Sequence, residues 1–139
     1  MRGFLWGKIM AYKFSSRSES NMAGVNADLV KLACVALSLT TVDFAITEGL
    51  RTKERQRELV DAGKSQTMKS RHITGHAIDV YTYPAGEACG SWDWKYYEQI
   101  AKAFRLASRQ AGSPVEWGGE WRTLKDGLHF QLPAAKYPG

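Results

Sequence analysis

Cysteine is scarce in this chain, with only Cys34 and Cys89 among its 139 residues. Two isolated thiols make neither a disulfide framework nor the Cys-x-x-Cys pair of a zinc or redox site. Cys34 falls within an apolar helical pattern, so we predict a buried thiol there, and Cys89 falls in a predicted loop. This usage is typical of a protein made in a reducing cytoplasm.

Long apolar runs are also absent. No stretch approaches the ~20 apolar residues of a membrane-spanning helix, so we expect no stable membrane insertion. Residues 1–11 have neither the apolar segment nor the small-residue cleavage site of a secretory signal. We predict that residues 1–11 are a disordered extension, with Met10 as an alternative start, and that residues 12–139 form a single domain.

The chain has no lysine- or arginine-rich run, although its net charge is +5. A basic balance favours an anionic partner such as a nucleic acid, a membrane surface or a cell-wall polymer, or simply improves solubility. Because no nucleic-acid-binding motif accompanies the charge, we expect no DNA or RNA partner.

Apolar periodicity predicts an α+β domain in which a mainly antiparallel sheet packs against two or three helices. The predicted helices are 26–39, 53–61 and 94–111, and the predicted strands are 42–47, 77–81, 115–117 and 129–132. Thr52 is a predicted N-cap and Gly112 a predicted helix end. We expect a loop at 63–69, a second loop at 82–91, and a turn at Gly118 and Gly119.

Histidine occurs only three times, and two of the three lie beside an unusual carboxylate. Asp79 stands between Ile78 and Val80 on a predicted strand, where a carboxylate is costly unless it is paired or bound to a metal. His72 lies one short loop upstream. His129 begins the last predicted strand, three residues after Asp126. Two histidines and one aspartate are a common ligand set for a catalytic zinc.

Each of these side chains has a plainer alternative. His72 and His129 are compatible with ordinary polar positions, and Asp126 is compatible with a cap on the Asp-Gly turn. A metal pair of His72 and His76 needs a helix, which Gly75 argues against.

The two tryptophans at 117 and 121 fit either the core or the wall of a binding cleft, with the core favoured. Other candidate general bases are Glu48, Glu116 and Glu120, of which Glu116 is the strongest.

Four sequence blocks follow one another in a specific order. They are Tyr-Lys-Phe-Ser-Ser-Arg-Ser at 12–18, Asp-Phe-Ala-Ile-Thr-Glu-Gly-Leu-Arg-Thr at 43–52 with Gln56, Ser-x-His-x-x-Gly-x-Ala-x-Asp at 70–79, and Trp-Gly-Gly-x-Trp with Asp-x-x-His-Phe at 117–130. Together they resemble the zinc peptidases of bacterial cell walls. This superfamily includes D-alanyl-D-alanine carboxypeptidases and dipeptidases, and the L-alanyl-D-glutamate endopeptidases that phages use as endolysins. The opening block is typical of the small phage enzymes.

The resemblance implies a role for particular residues. His72, Asp79 and His129 would hold one Zn²⁺ at the sheet of a hedgehog- or D,D-peptidase-like fold. Asp126 would be the general base, and Arg51 would hold substrate and the developing oxyanion. Ser70 matches a motif serine that supports the site. Position 76 varies among relatives, so the resemblance gives His76 no role, and we predict a residue at the rim of the site that touches substrate or nothing. Independently of the resemblance, Trp117 is a candidate support or wall of the cleft.

The chain departs from the resemblance at two positions. Gln131 stands where many relatives have glutamate, which removes a second carboxylate, and Leu128 stands where many have proline.

The resemblance implies an endopeptidase that cuts the L-alanyl-D-glutamate bond of peptidoglycan stem peptides and lyses the host. We expect a monomer, made in the host cytoplasm, that reaches the cell wall through a holin. A D-alanyl-D-alanine carboxypeptidase is the alternative within enzymes, since it shares every ligand. A non-catalytic peptidoglycan-binding module is the alternative of another class.

Overall fold

A computed structural model describes residues 12–87 and 89–139. The predicted disordered extension, 1–11, lies outside the described residues. The helices are α1 (Ser16–Asn21), α2 (Ala27–Leu39), α3 (Lys53–Asp61) and α4 (Trp94–Ala111). The strands are β1 (Asp43–Glu48), β2 (Ala77–Tyr83), β3 (Glu116–Trp117) and β4 (His129–Gln131), and a 3₁₀ helix spans Gly118–Glu120.

The four strands form one antiparallel sheet in the order β1-β2-β4-β3. Strand alternation turns one face towards the helices and the other towards solvent. The helix-facing side includes Ile46, Ile78, Val80 and Phe130, which are almost completely buried. The opposite face therefore receives the intervening positions of the central strands, including Asp79.

The core lies between the sheet and the two long helices. α2 contributes Leu29, Leu32, Ala33, Ala36 and Leu37, and α4 contributes Tyr97, Ile100, Ala101, Ala103, Phe104 and Ala107. The Phe104 and Phe130 rings stack with centroids 4.0 Å apart, which joins α4 to the sheet. The predicted α+β class and antiparallel sheet are confirmed.

Local signals set the helix boundaries. Asn26, Thr52 and Asp93 each accept a hydrogen bond from a first-turn amide through their side chains. Gly112 ends α4 in a left-handed conformation with φ of 70°, which glycine adopts without a Cβ penalty.

Three local features differ from expectation. Helix α1 was not predicted, and it begins where the Ser15 hydroxyl accepts a bond from the Ser18 amide. β2 extends two residues further than predicted, to Tyr83. A 3₁₀ turn replaces the simple turn expected at Gly118 and Gly119.

The prediction that Cys34 is buried is wrong, because its side chain is exposed. The buried stripe of α2 runs through Ala33 and Ala36, and each residue advances ~100° around a helix, so Cys34 turns away from the sheet. Within the described ranges, no helix combines the length and apolarity that crossing a membrane requires.

Candidate metal and catalytic centre

His72, Asp79 and His129 meet on the solvent-facing side of the sheet. β2 and β4 place Asp79 directly opposite His129, and the turn before β2 brings in His72. The Asp79 Oδ1 atom lies 3.2 Å from His72 Nε2 and 3.3 Å from His129 Nδ1. One ligand atom from each residue lies within 4.8 Å of the other two.

Each imidazole is oriented by its second ring nitrogen. His72 Nδ1 donates to the Gly49 carbonyl oxygen at 2.8 Å, and His129 Nε2 donates to Gln131 Oε1 at 2.8 Å. These bonds select the tautomers that leave His72 Nε2 and His129 Nδ1 free beside Asp79. Outer hydrogen bonds of this kind are usual for metal-binding histidines.

The donor set fits a small divalent metal. A tetrahedral site with ligand bonds of ~2.0–2.1 Å has ligand–ligand edges of ~3.3 Å. The two measured separations between Asp79 Oδ1 and the imidazole nitrogens have this length. Two neutral nitrogens and one carboxylate oxygen can therefore hold a metal here.

The electrostatics of the metal-free cluster favour a charged carboxylate. Burial would raise the pKa of Asp79, but His129 and His72, when protonated on both ring nitrogens, donate to its carboxylate and add their positive charge, and together they hold that pKa well below its usual range. Burial would lower the pKa of His129, but the hydrogen bond and charge of Asp79 outweigh it, and the pKa is raised. The ionised Asp79 carboxylate therefore favours a positive charge between itself and the two imidazoles, even without a metal.

Asp126 lines the same cleft as the three residues of the cluster. Burial raises the pKa of the Asp126 carboxyl, and the Asp79 charge raises it further. Its Oδ1 accepts a bond from the Leu128 amide, and its backbone oxygen accepts one from the His129 amide. A side chain at Gly118 would collide with the backbone oxygen of Asp126, so this close approach requires glycine.

Arg51 is held rigidly at the edge of the cleft. Its guanidinium makes a two-point contact with Glu48, at 2.6 and 2.7 Å, and donates to Gln56 Oε1 at 2.8 Å. Its Nη2 atom lies 3.8 Å from Asp79 Oδ2. Burial would lower the pKa of Arg51, but the hydrogen bond to Glu48 outweighs it and the pKa is raised.

Ser70 supports the turn that carries His72, because its hydroxyl accepts a bond from the His72 amide at 3.2 Å. His76 lies outside the three-residue cluster. Its Nδ1 bonds to the Thr74 hydroxyl, and its ring lies 6.2 Å from that of Tyr137 in the C-terminal segment. The i,i+4 metal pair of His72 and His76 does not form.

The two candidate tryptophans take different positions. Trp117 is buried in the core, and its indole nitrogen donates to the Gly127 carbonyl at 2.7 Å, which supports the turn before His129. It is therefore not a wall of the cleft. Trp121 lines the cleft instead, with its ring centroid 5.1 Å from that of His129.

The alternative carboxylates are engaged elsewhere. Glu48 is bound to Arg51, and Glu120 is paired with Arg105 on the surface at 2.8 Å. Glu116 accepts a bond from Gln131 Nε2 at 3.0 Å. A cleft of about 430 Å³ opens over the cluster, and Lys64, Lys69 and Arg71 also line it.

Sequence reasoning missed three supporting groups: the Gly49 carbonyl, the Gln131 amide and the Gln56 amide. Gln131 lies two residues after His129 on β4, so their side chains project from the same face of the strand. The strand period could therefore have identified Gln131 as a neighbour of His129. The Gly49 carbonyl bonds to a side chain 23 residues away, and the buried Gln56 side chain bonds to Arg51 and to a loop that follows its helix, so no helix or strand period encodes either contact.

Comparison with known proteins places these residues in a family context. The sequence model of the family described as phage L-alanyl-D-glutamate peptidase matches residues 10–129. The L-alanyl-D-glutamate peptidase of Escherichia phage T5 is 34% identical over 136 residues, which cover 94% of this chain and 96% of that protein.

Two solved structures are similar. The Serratia marcescens L-Ala D-Glu endopeptidase ChiX superposes with a TM-score of 0.86 and 55% identity, covering 94% of this chain and 97% of that one. The D,D-dipeptidase VanXYg superposes with a TM-score of 0.50 at 17% identity, covering 81% of this chain and 53% of that one, which shows a shared fold.

Proposed function

This chain belongs to the phage L-alanyl-D-glutamate peptidase family, and we propose that it is a zinc endopeptidase that hydrolyses the L-alanyl-D-glutamate bond of peptidoglycan stem peptides. The observation that carries the proposal is the His72, Asp79 and His129 cluster, whose imidazole tautomers are set by Gly49 and Gln131.

Zinc is the metal that this donor set favours, since imidazole nitrogens with one carboxylate suit it and a tetrahedral arrangement fits the spacing. When bound, Zn²⁺ supplies Lewis acidity and a nucleophile active near neutral pH. His72, Asp79 and His129 would contribute one ligand atom each.

Asp126 acts as general base in this proposal. Its carboxylate accepts a proton from the attacking water as oxygen bonds to the carbonyl carbon of L-alanine. The same proton passes to the amine of D-glutamate as the carbon–nitrogen bond breaks. Because burial raises the pKa of Asp126, its basicity lies closer to the working pH than that of a free aspartate.

In this proposal Arg51 holds the substrate and stabilises the negative charge that develops on the carbonyl oxygen. Three of its five N–H donors are engaged by Glu48 and Gln56 in the described residues. That clamp fixes the guanidinium plane, so its charge is preorganised for a negative oxygen in the cleft. Ser70 supports His72 through its backbone.

The biological setting that we propose is host lysis by a monomeric phage endolysin. The protein would be made in the host cytoplasm and would reach the cell wall after a holin opens the membrane. The support for this setting is the phage origin of the relative from phage T5 and of the matching family.

The test is mass spectrometry of purified peptidoglycan digested with the protein, with and without a zinc chelator. We expect new amino termini at D-glutamate that are absent in the chelated reaction. Release of free D-alanine instead would assign the chain to the D-alanyl-D-alanine carboxypeptidases. A folded, zinc-loaded protein that binds the polymer without cutting it would be a binding module.

A further inference from the structure

A group of aromatic side chains lies on the same face of the sheet as His72, Asp79 and His129, which we call the metal cluster although they are three side chains for one ion. Asp79, Tyr81 and Tyr83 alternate along β2, so their side chains project on the same side. The Tyr81 ring lies 5.3 Å from that of Tyr83 and 4.6 Å from that of Trp92. We refer to Tyr81, Tyr83 and Trp92 as the aromatic patch.

The patch is accessible, since Trp92 is 68% exposed and Tyr83 is 45% exposed. Isolated exposed apolar residues are normal, but adjoining ones often mark a binding surface. Here the Tyr81 ring, which is partly buried and packs against the core, adjoins both exposed rings, Tyr83 and Trp92.

The local backbone holds the patch in place. A side chain at Gly90 would collide with the Tyr81 ring, so the loop approaches this ring as closely as a glycine permits. Ser91 pairs with Thr82 as a β-bridge, and its amide donates to the Thr82 carbonyl at 3.1 Å. The neighbouring Trp92 is thereby fixed beside Tyr81, so the aromatic surface is preformed.

The two ends of the surface around the metal cluster differ in chemistry. β1 pairs with β2 so that Glu48 lies at Asp79 and Asp43 lies at Tyr83. The cationic Lys64 and Lys69 line the cleft near Arg51, which follows the Glu48 end of β1. The aromatic patch lies along β2 in the other direction, where Tyr83 also shares a cavity with Lys13, Arg17 and Asp43. The aromatic rings therefore lie only at this end, whereas cationic side chains line both ends.

We propose that the aromatic patch binds the amino sugar to which the stem peptide is attached; this inference rests on the proposed function. In peptidoglycan, L-alanine is joined through a lactyl group to an N-acetylated amino sugar, and the peptide beyond the scissile bond carries free carboxylates. The acidic part of the substrate then faces Lys64 and Lys69. The neutral sugar faces rings whose apolar surfaces pack against its C–H groups.

The dimensions agree with this orientation. An L-alanine and a lactyl unit together span about two chain units, or ~7 Å when extended. Two residues of a β-strand rise ~6.6 Å, which is the step from Asp79 to Tyr81. A substrate whose carbonyl lies at the metal site therefore has the start of its sugar ring level with Tyr81, and the ring extends from there over Trp92 or Tyr83.

The first experiment compares two substrates that differ only in the sugar. One is the stem tetrapeptide joined to the complete amino sugar, and the other is the same tetrapeptide carrying only the lactyl group. We expect Trp92→Ala and Tyr83→Ala each to reduce the preference for the sugar-bearing substrate, measured as a ratio of kcat/KM values, by about tenfold, chiefly through KM.

The controls separate sugar binding from a general defect. Trp92→Phe keeps an aromatic face and should restore most of the preference. Leu106→Ala changes a residue of α4 that is 43% exposed and should leave the ratio unchanged. An unchanged ratio in both Trp92→Ala and Tyr83→Ala would overturn the inference while leaving the proposed function intact.

A second measurement does not depend on catalysis. N-acetylmuramyl-L-alanine, which ends before the scissile bond, is titrated into the zinc-loaded protein and followed by NMR. We expect the Trp92 indole signal and the Tyr83 signals to shift. Shifts confined to residues near Lys64 and Lys69 would overturn the inference. A shift of Trp92 in a protein that cleaves neither substrate would support the patch and reject the proposed function.

Discussion

At the scale of single residues, the metal cluster depends on partners that never touch the metal. His129 is oriented by Gln131, and Gln131 is held in turn by Glu116. The amide of Gln131 accepts at its oxygen and donates at its nitrogen, which a carboxylate next to the Glu116 carboxylate could not do. Gln131 therefore has a structural role of its own and is not merely the loss of the glutamate that many relatives have at this position.

Replacing Gln131 tests that role. Gln131→Met removes the acceptor for His129 Nε2, so we expect zinc affinity to fall about 10–100-fold, measured by competition with a chromophoric chelator. The double variant Glu116→Gln with Gln131→Glu exchanges the amide and the carboxylate and keeps both hydrogen bonds. It should recover most of the affinity. Wild-type affinity in Gln131→Met would show that the bond does not position His129.

The proposed mechanism depends most directly on Asp126 as general base. We expect Asp126→Ala to bind one zinc with unchanged affinity and to lose about 10²–10⁴-fold in kcat, since a positioned proton acceptor contributes that much. Glu120→Gln removes a carboxylate paired with Arg105 on the surface and should keep full activity. An active, zinc-loaded Asp126→Ala protein would exclude this role.

The pH dependence of zinc uptake follows from His129. Its pKa is raised in the metal-free protein, and a protonated imidazole cannot bind the metal. At a pH above that pKa, protons do not compete with zinc for the imidazole nitrogen of His129. Below it, zinc affinity should fall about tenfold per pH unit, beginning above the ordinary histidine value of ~6.5. Calorimetric titrations of zinc between pH 5.5 and 8.5 would measure it, and a fall confined to pH below ~6 would contradict it.

At the scale of elements, α3 connects the centre to the loop at 63–69. Gln56 of α3 is fully buried and accepts from Arg51 at its oxygen. Its amide nitrogen donates to the Ser65 hydroxyl at 2.9 Å and to the Thr67 carbonyl at 2.6 Å. One side chain therefore fixes the guanidinium and the loop that lines the cleft.

Gln56→Met should expose that dependence. Leaving the buried Arg51 donor and the Thr67 carbonyl unpaired should lower the free energy of unfolding by about 1–3 kcal/mol, measured by urea denaturation. Activity on peptidoglycan should fall as well. Gln56→Glu keeps the acceptor for Arg51 but loses the donor to Thr67. Relative to Gln56→Met, we expect it to recover kcat, which depends on Arg51, more than KM, which depends on the loop that lines the cleft. If Gln56→Met and Gln56→Glu changed kcat and KM equally, the bonds from Gln56 to Arg51 and to Thr67 would not have separate effects on catalysis and substrate binding.

At the scale of the whole molecule, the fold divides the sheet between two tasks. The helix-facing side is apolar and packs on α2 and α4, while the opposite side carries the metal cluster and the aromatic patch. The chain has a net charge of +5, and Lys64 and Lys69 line the cleft to which the proposed function assigns the substrate. We therefore expect this positive charge to attract an anionic polymer before specific contacts form.

Salt should weaken that attraction. We expect kcat/KM on insoluble peptidoglycan to fall several-fold as ionic strength rises from ~0.01 M to ~0.15 M, over which the screening length shortens from ~30 to ~8 Å. Lys64→Gln with Lys69→Gln should lower the rate at low salt and flatten the dependence. A salt response as steep as that of the wild type in this variant would place the attraction elsewhere on the surface.

Much of this organisation is encoded locally and was predictable. Asn26, Thr52, Asp93 and Gly112 delimit their helices through side chains or backbone conformations next to them in the chain. The alternation around Asp79 identified a carboxylate on a strand, and its cost when buried identified the need for partners. The roles assigned to Asp126 and Arg51 stay predictions. Asp126→Ala tests the first directly, and the Gln56 variants test the second through the hydrogen bond that holds Arg51.

The sequence by itself determined the order of the three longer helices and the four strands, the sheet class and the residues that make a metal centre chemically possible, because caps, periodicity and motif spacing act over short stretches of chain. Only the tertiary structure decided which side chains meet. It exposed Cys34, buried Trp117 in the core, and joined His72 to Gly49 and Gln56 to Thr67. It also placed Tyr81, Tyr83 and Trp92 in one surface beside the centre. Those contacts depend on strand register and on packing between distant segments, which local preferences do not encode.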